Sequence, residues 1–217
     1  MKHLILLSII SIFMLSSCTK DRLTANGDRI TETRTLNEFN SLSISGANRV
    51  HVSYGNEYKV VLKGSSNLLP YFKTTLDGKK LNLSYKNANV NHDDIEIFVT
   101  MPLIKGASVS GSGGLDIDGS FAAINEFDLS ISGSGDVSVN HELKVDDIEI
   151  HISGSGKVFF QKSIAKEADI DISGSGDVHI QVVDFLKARI SGSGEIYYKG
   201  SPQLDTKISG SGKLIKS

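Results

Sequence analysis

The 217-residue chain has a single cysteine, Cys18, so no disulfide can form within it and the fold must stand on its buried core. Its formal charge is only -2, which leaves no electrostatic case for a nucleic-acid partner. Long apolar runs are missing too: the strongly apolar stretch, Leu4 to Leu15, is too short to span a bilayer as a lasting anchor. Signatures of catalysis are equally scarce. His51, His92, His141, His151 and His179 are scattered, and no His-Glu or Cys-His spacing matches a zinc site. No Gly-Lys-Ser/Thr opens a helix to cradle phosphate, and no lone serine sits on a strand-to-helix turn as in a nucleophile elbow. No cofactor is expected. With 39% hydrophobic and 22% charged residues, the composition is that of a folded domain and excludes disorder.

What the chain has is a repeat. Ser-Gly-Ser-Gly opens at Ser110, Ser132, Ser153, Ser173, Ser191 and Ser209, in steps of 22, 21, 20, 18 and 18 residues. Steps of this length suit one coil of a solenoid and are too short for a βαβ unit, which needs about 30 residues. Around each copy the apolar residues take every second position, as in Leu129, Ile131, Val137 and Val139, and the alternation passes through the glycines without changing phase. Period two means strand. Both glycines then point inward, where the coil bends or a bulky residue from the opposite wall fills the space over them, and both serines point outward in two stacked columns.

No such coil can bury its apolar face alone, so neighbours must share one core, supplied by the column Val109, Ile131, Ile152, Ile172, Ile190 and Ile208. The expected fold class is all-β, a right-handed parallel β-helix-like solenoid with Ser-Gly-Ser-Gly repeats and less regular N-terminal coils. An antiparallel meander is the competing fold, but it explains the in-phase repeat less well. Ser45-Gly46-Ala47-Asn48 reads as a degenerate first copy, with Asn48 in place of the second glycine. Strands are expected at Tyr58 to Leu62, Leu81 to Tyr85 and Ile95 to Val99, with a helical turn or loop at Ser66 to Phe72.

The amino terminus is separate from this pattern. Met1-Lys2-His3 and the apolar stretch read as a secretory signal, and Leu15-Ser16-Ser17-Cys18 resembles a bacterial lipoprotein lipobox. The resemblance implies residues 1–17 as signal peptide, Cys18 as the lipid-attachment residue and a membrane contact through that lipid. The alternative is an ordinary cleaved signal with a free thiol. Residues 18–35 are polar without clear periodicity and read as a lipidated tether; residues 36–217 form a single β-solenoid domain.

Ser45-Gly46 to Val52, Gly55-Asn56-Glu57-Tyr58, Asn67-Leu68-Leu69, Asp77-Gly78-Lys79-Lys80-Leu81 and the iterated Ser-Gly-Ser-Gly together resemble the auto-transporter adhesin head GIN domain family. The resemblance implies a β-helix-like exported protein, often a lipoprotein of the Bacteroidetes type, with no established biochemical activity. No segment up to Ser217 reads as a translocating barrel, so a complete autotransporter is not expected.

Calcium between coils, as in Gly-x-Gly-x-Asp repeats, is disfavoured because the position after the motif reads Gly114, Asp136, Lys157, Asp177, Glu195 and Lys213. Lysines between carboxylates neutralise them in place of a metal. On the outer face, Phe159, His179 and Tyr197 line up in a column with Ser138, which makes them candidate binding residues together with Ser132, Ser134, Ser153, Ser155, Ser173 and Ser175. The same rings could instead lie beneath a loop.

The expected function is a non-enzymatic envelope lipoprotein, at the outer membrane or cell surface or facing the periplasm. Its solenoid surface binds a glycan or a protein, and a homo-oligomer is possible at the open end of the coil. The alternatives are a carbohydrate-active β-helix enzyme, which would need acids such as Asp93-Asp94, Asp116 with Asp118, or Asp146-Asp147 in a groove, and a periplasmic structural or stress lipoprotein.

Overall fold

The computed structural model describes residues 22–86 and 88–217. Residues 1–17, expected as signal peptide, and Cys18 lie outside the described residues.

Among the described residues there are nineteen strands and one 3-10 turn. The irregular part holds β1 (Arg22–Thr24), β2 (Arg29–Thr35), β3 (Ser41–Gly46), β4 (Arg49–Tyr54), β5 (Lys59–Ser65), the 3-10 turn Leu69–Tyr71, β6 (Phe72–Asp77), β7 (Lys80–Tyr85), β8 (Asn89–Asn91) and β9 (Glu96–Met101). The repeats hold β10 (Gly106–Gly111), β11 (Gly114–Asp118), β12 (Ile124–Gly133), β13 (Asp136–Val139), β14 (Lys144–Gly154), β15 (Lys157–Gly174), β16 (Asp177–Gly192), β17 (Glu195–Lys199), β18 (Gln203–Gly210) and β19 (Lys213–Lys216).

Each coil uses the serine-glycine motif as a corner between two strands. The strands before the corner stack in parallel as β3, β10, β12, β14, the second half of β15, the second half of β16, and β18. Those after it stack as β4, β11, β13, the first half of β15, the first half of β16, β17 and β19. The first stack is termed the leading sheet and the second the trailing sheet. Ser45 pairs with Ser110, which confirms Ser45-Gly46-Ala47-Asn48 as the first copy of the corner.

The parity read from sequence holds up to the last coil, where Ile208, expected in the core column, is exposed because no further coil covers it among the described residues. Ile131, Ile152, Ile172 and Ile190 are at most 2% exposed in the leading sheet, while Val137, Val158, Val178 and Ile196 are fully buried in the trailing one. Phe127 and Phe160 meet edge-on across the core, centroids 5.4 Å apart. The variable repeat length is absorbed on the side away from the motif, where β15 carries register shifts between Phe160 and Ile164 and between Ala165 and Glu167. The corner itself never changes length.

Why glycine stands at that corner is visible at Gly133 and Gly135. Gly133 has φ +123°, a backbone region closed to other residues, and a Cβ there would collide with the carbonyl oxygen of Gly111 one coil below. A Cβ on Gly135 would lie 2.5 Å from the Gly113 oxygen and 2.6 Å from Cγ1 of Val109. The coil therefore bends at the first glycine, as expected, while the space over the second is filled by a branched side chain of the preceding coil and not by one from the opposite wall. Backbone bonds such as Ser134 N–H to Gly111 O (2.9 Å) and Asp136 N–H to Gly113 O (3.2 Å) then run along the corner.

The amino-terminal end is closed differently. β7 continues the leading sheet in parallel and pairs with β6 antiparallel; β9 continues the trailing sheet in parallel, followed by antiparallel β5 and β2. Residues 22–35, expected as tether, thus include two strands, β1 on β8 and β2 on β5. β2 shows no apolar alternation because it buries almost no side chain. It is held by its backbone ladder and by Arg34, whose guanidinium donates to the carbonyl oxygens of Phe72 (2.7 Å) and Leu69 (3.3 Å).

Candidate functional site

The outer face of the trailing sheet carries one column of unlike side chains, in register from Phe98 through His51, Asp116, Ser138, Phe159, His179 and Tyr197 to Ile215. The column predicted from sequence is therefore real, and it is longer than Phe159, His179 and Tyr197. Phe159 and His179 stack with centroids 5.3 Å apart and 18° between planes; His179 and Tyr197 stack at 4.5 Å and 3°. These separations follow the strand spacing of about 4.8 Å, so the rings stand upright on the sheet. Their edges face outward, and each ring buries part of its neighbour.

Upright stacking leaves no flat aromatic platform. The faces between Phe159 and His179, and between His179 and Tyr197, are occupied by one another. The other face of Phe159 is turned toward Ser138, whose side chain is too small to cover it. One strand further, Asp116 accepts hydrogen bonds from Ser138 Oγ (2.6 Å) and from Arg49 Nη1 (2.9 Å), and His51 Nδ1 lies 3.3 Å from its other oxygen. In the column the small Ser138 side chain thus stands between an aromatic ring and an ionic group, a step in side-chain size termed the notch. A second stack, Phe98 on His51 at 5.3 Å with Lys63 Nζ 4.7 Å above the Phe98 ring, closes the far end.

The neighbouring outer column explains the local electrostatics. Lys157 stands between Asp136 and Asp177 and contacts Asp177 at 3.0 Å, a hydrogen bond that raises the lysine pKa. Glu195 accepts from the Tyr197 hydroxyl, and that bond raises the phenol pKa. Lysine thus sits where a metal would need a third carboxylate, and among the described residues no group of three histidine, cysteine or carboxylate side chains is placed to hold a metal ion.

The six serines expected in the candidate surface lie at the corner, away from the aromatic column. Ser132, Ser153 and Ser173 are mutually in register at the end of the leading sheet, and Ser134, Ser155 and Ser175 follow them in the bend. All six are exposed, and their hydroxyls bond no other protein group among the described residues. They form an edge next to the notch-bearing face and do not line the notch.

The acids considered for an enzyme are dispersed into structural tasks. Asp93 accepts from the Tyr85 hydroxyl (2.6 Å), the Asn48 amide (2.7 Å) and the Ile95 backbone N–H (3.0 Å). Burial, reinforced by the Asp93 carboxylate, pushes the Tyr85 phenol far above its usual range. Asp94 accepts from the Ser65 backbone N–H (2.9 Å) and hydroxyl (2.8 Å). Burial opposes ionisation of Asp94, but those bonds and Arg29 outweigh it and lower its pKa. Asp146 pairs with Lys166, and Asp118 with His141.

On the leading sheet's outer face the mixed-charge ladder His151, Asp171, Arg189 and Lys207 is readable two positions before the first serine, but sequence reading missed the columns beyond it. Six carboxylates stack there in two columns, Glu126, Asp147 and Glu167 beside Asp128, Glu149 and Asp169, bordering a shallow groove of about 380 Å³. Carrying the motif alignment back four and six positions from the first serine would have found them. Lys187 and Arg189 both reach Asp169, at 3.0 Å each. The face remains strongly negative, in contrast to the mixed charge around the notch.

With this geometry in view, the comparisons fall into place. A model of the family described as "putative auto-transporter adhesin, head GIN domain" matches residues 38–161 and 144–202. The chain belongs to that family. Among solved structures, this head GIN protein is similar to a "putative adhesin" from Bacteroides fragilis, at 20% identity over 89% of this chain and 98% of the other, TM-score 0.69. It is similar to another from Parabacteroides merdae, at 22% identity over 90% and 99%, TM-score 0.61. A third, from Parabacteroides distasonis and called a "putative lipid binding protein", aligns at 20% identity over 90% and 99%, TM-score 0.57. At these identities the likeness shows the shared fold. No curated protein sequence matches the chain.

Proposed function

We propose that this head GIN protein is a non-enzymatic adhesion protein of the cell envelope, held to the membrane through a lipid on Cys18, with the trailing-sheet face as its binding surface. Membership of an adhesin family supports the general role. The observation that carries the surface assignment is the notch at Ser138, where one face of the Phe159 ring is left open opposite the Asp116–Arg49 pair. An apolar ring face beside fixed donors and acceptors suits a sugar ring, which offers C–H groups on one face and hydroxyls at its edge. The carboxylate columns of the leading sheet would repel acidic polysaccharide, so a neutral glycan is the ligand class favoured.

Binding of cells or neutral glycan arrays to the full chain tests this. Phe159→Ser removes the aromatic wall and is expected to weaken binding about five- to thirty-fold, in line with a loss of about 1–2 kcal/mol for a stacked ring. Equal binding by Phe159→Ser and wild type would exclude the notch, and selective binding of a protein would replace the glycan as ligand. Cys18→Ser is expected to release the protein from membranes; retention would exclude the lipid anchor. Protease treatment of intact cells, with lysed cells as control, distinguishes the cell surface from the periplasm.

A further inference from the structure

The two ends of the solenoid are unlike. At the amino-terminal end, antiparallel strands extend both sheets, whereas at the other end, among the described residues, β18 pairs only with β16 and β19 only with β17. Leu204 and Ile208 of β18 continue the core columns of Leu186 and Ile190, yet they are 44% and 39% exposed. An unpaired edge with its apolar face uncovered is a template for another strand.

The sequence of that edge is complementary to itself. From Gln203 to Ser209 it reads Gln-Leu-Asp-Thr-Lys-Ile-Ser. Laid antiparallel on a second copy about Thr206, it sets Leu204 opposite Ile208 and Asp205 opposite Lys207, each twice by symmetry. The parity is correct, because the apolar pairs face the core side and the charged pairs the outer side. Within one chain Lys207 lies beside Arg189 in register, a like-charge neighbour, and Asp205 lies beside Lys187, whose ammonium is taken by Asp169, so neither Asp205 nor Lys207 forms an ion pair among the described residues. A second copy supplies the missing partner to both. β19 carries Lys213 and Lys216 at its two ends, the usual protection of an edge, and lacks this symmetry.

We propose that two copies of this chain join end to end through β18, antiparallel, with Thr206 facing Thr206 across the two-fold axis. In such a pair the two amino-terminal ends point in opposite directions. If the anchor proposed above is correct, the partners stand on two facing membranes and the contact is homophilic adhesion. The mature tether cannot cover the edge itself: β1 begins at the opposite end, on β8. Residues 18–21 reach at most about 14 Å, whereas the six strand steps from β3 to β18 span about 29 Å.

Cross-linking tests the pairing. In the full chain carrying Cys18→Ser and Thr206→Cys, the two new thiols are directly opposed, at the Cα separation of about 4.5–5.5 Å that a disulfide accepts. Oxidation is expected to give a covalent dimer. Adding Asp205→Lys should cut its yield several-fold, and adding Lys207→Asp to that variant should restore it. No dimer, or a yield insensitive to Asp205→Lys, overturns the proposal. The acylated wild-type protein in phosphatidylcholine vesicles is then expected to cluster them, and Leu204→Lys to abolish clustering. Cross-linked dimers without vesicle clustering would overturn the facing-membrane arrangement while leaving the end-to-end pair in place.

Discussion

The first corner of the solenoid and the six that follow make the same turn by opposite means. In the repeats the inward position is emptied: glycines let the next coil settle within hydrogen-bonding distance, and the backbone does the joining. In the first copy Asn48 occupies the second glycine position, 7% exposed, and its amide bonds the Asp93 carboxylate and the Ile95 carbonyl oxygen (3.3 Å). A stacked corner needs something that fits its neighbour on both sides. Where the neighbour is another copy, the absence of a side chain is the fit; where it is the irregular cap, a polar side chain reaches across to it.

This contrast can be broken at either end. The largest effect is expected from Gly174→Ala, which places a Cβ at φ +130° against the Gly154 carbonyl oxygen. Strain plus displacement of the coil should cost at least about 2–3 kcal/mol, read as a lowered midpoint in denaturant unfolding. Asn48→Ala removes one of the three donors to Asp93 and the side-chain donor to the Ile95 carbonyl, and should cost about 1–3 kcal/mol. Amide exchange should show that loss concentrated in the cap, around residues 91–95, with the later coils still protected.

Acid sharpens the same difference. Because the folded-state pKa of Asp94 lies below its unfolded value, its contribution is present above the ordinary carboxylate range and is lost as pH falls through the lowered value. Asp94→Asn is expected to flatten that part of the acid-unfolding profile, whereas removing a corner glycine should shift the whole profile without changing its shape. The smallest effect belongs to Ser173→Ala and Ser175→Ala, exposed hydroxyls in the same motif, which should stay within about 0.5 kcal/mol of wild type. A large loss there would mean that the serine columns carry the corner and the glycines do not.

Much of this architecture was legible in the residues because parallel in-register stacking repeats one local rule. The phase of Ile131 and Val137 around Gly133 fixes which side is core, and the recurrence of Ser-Gly-Ser-Gly fixes which residues are neighbours one coil away. The aromatic column followed directly from that. The orientation of its rings did not, since it depends on side-chain torsions that only packing between Phe159, His179 and Tyr197 decides. β2 escaped notice for a different reason: Ile30 is 45% exposed, and a strand held by backbone ladder and Arg34 leaves no apolar rhythm to read. Asp116 and Arg49 lay in separate strands 67 residues apart, joined only by the return from irregular cap to first repeat.

The direction of the hydrogen bonds also sets how the molecule bears load. Strands lie across the solenoid and their bonds run along it, so tension applied between the two ends pulls on the coils in series. Coils would then give way one at a time. Each would release its 18 to 22 residues, about 60 to 75 Å of chain at roughly 3.4 Å per residue. A contact under strain would lengthen in steps before it tore, with the protein acting as its own shock absorber.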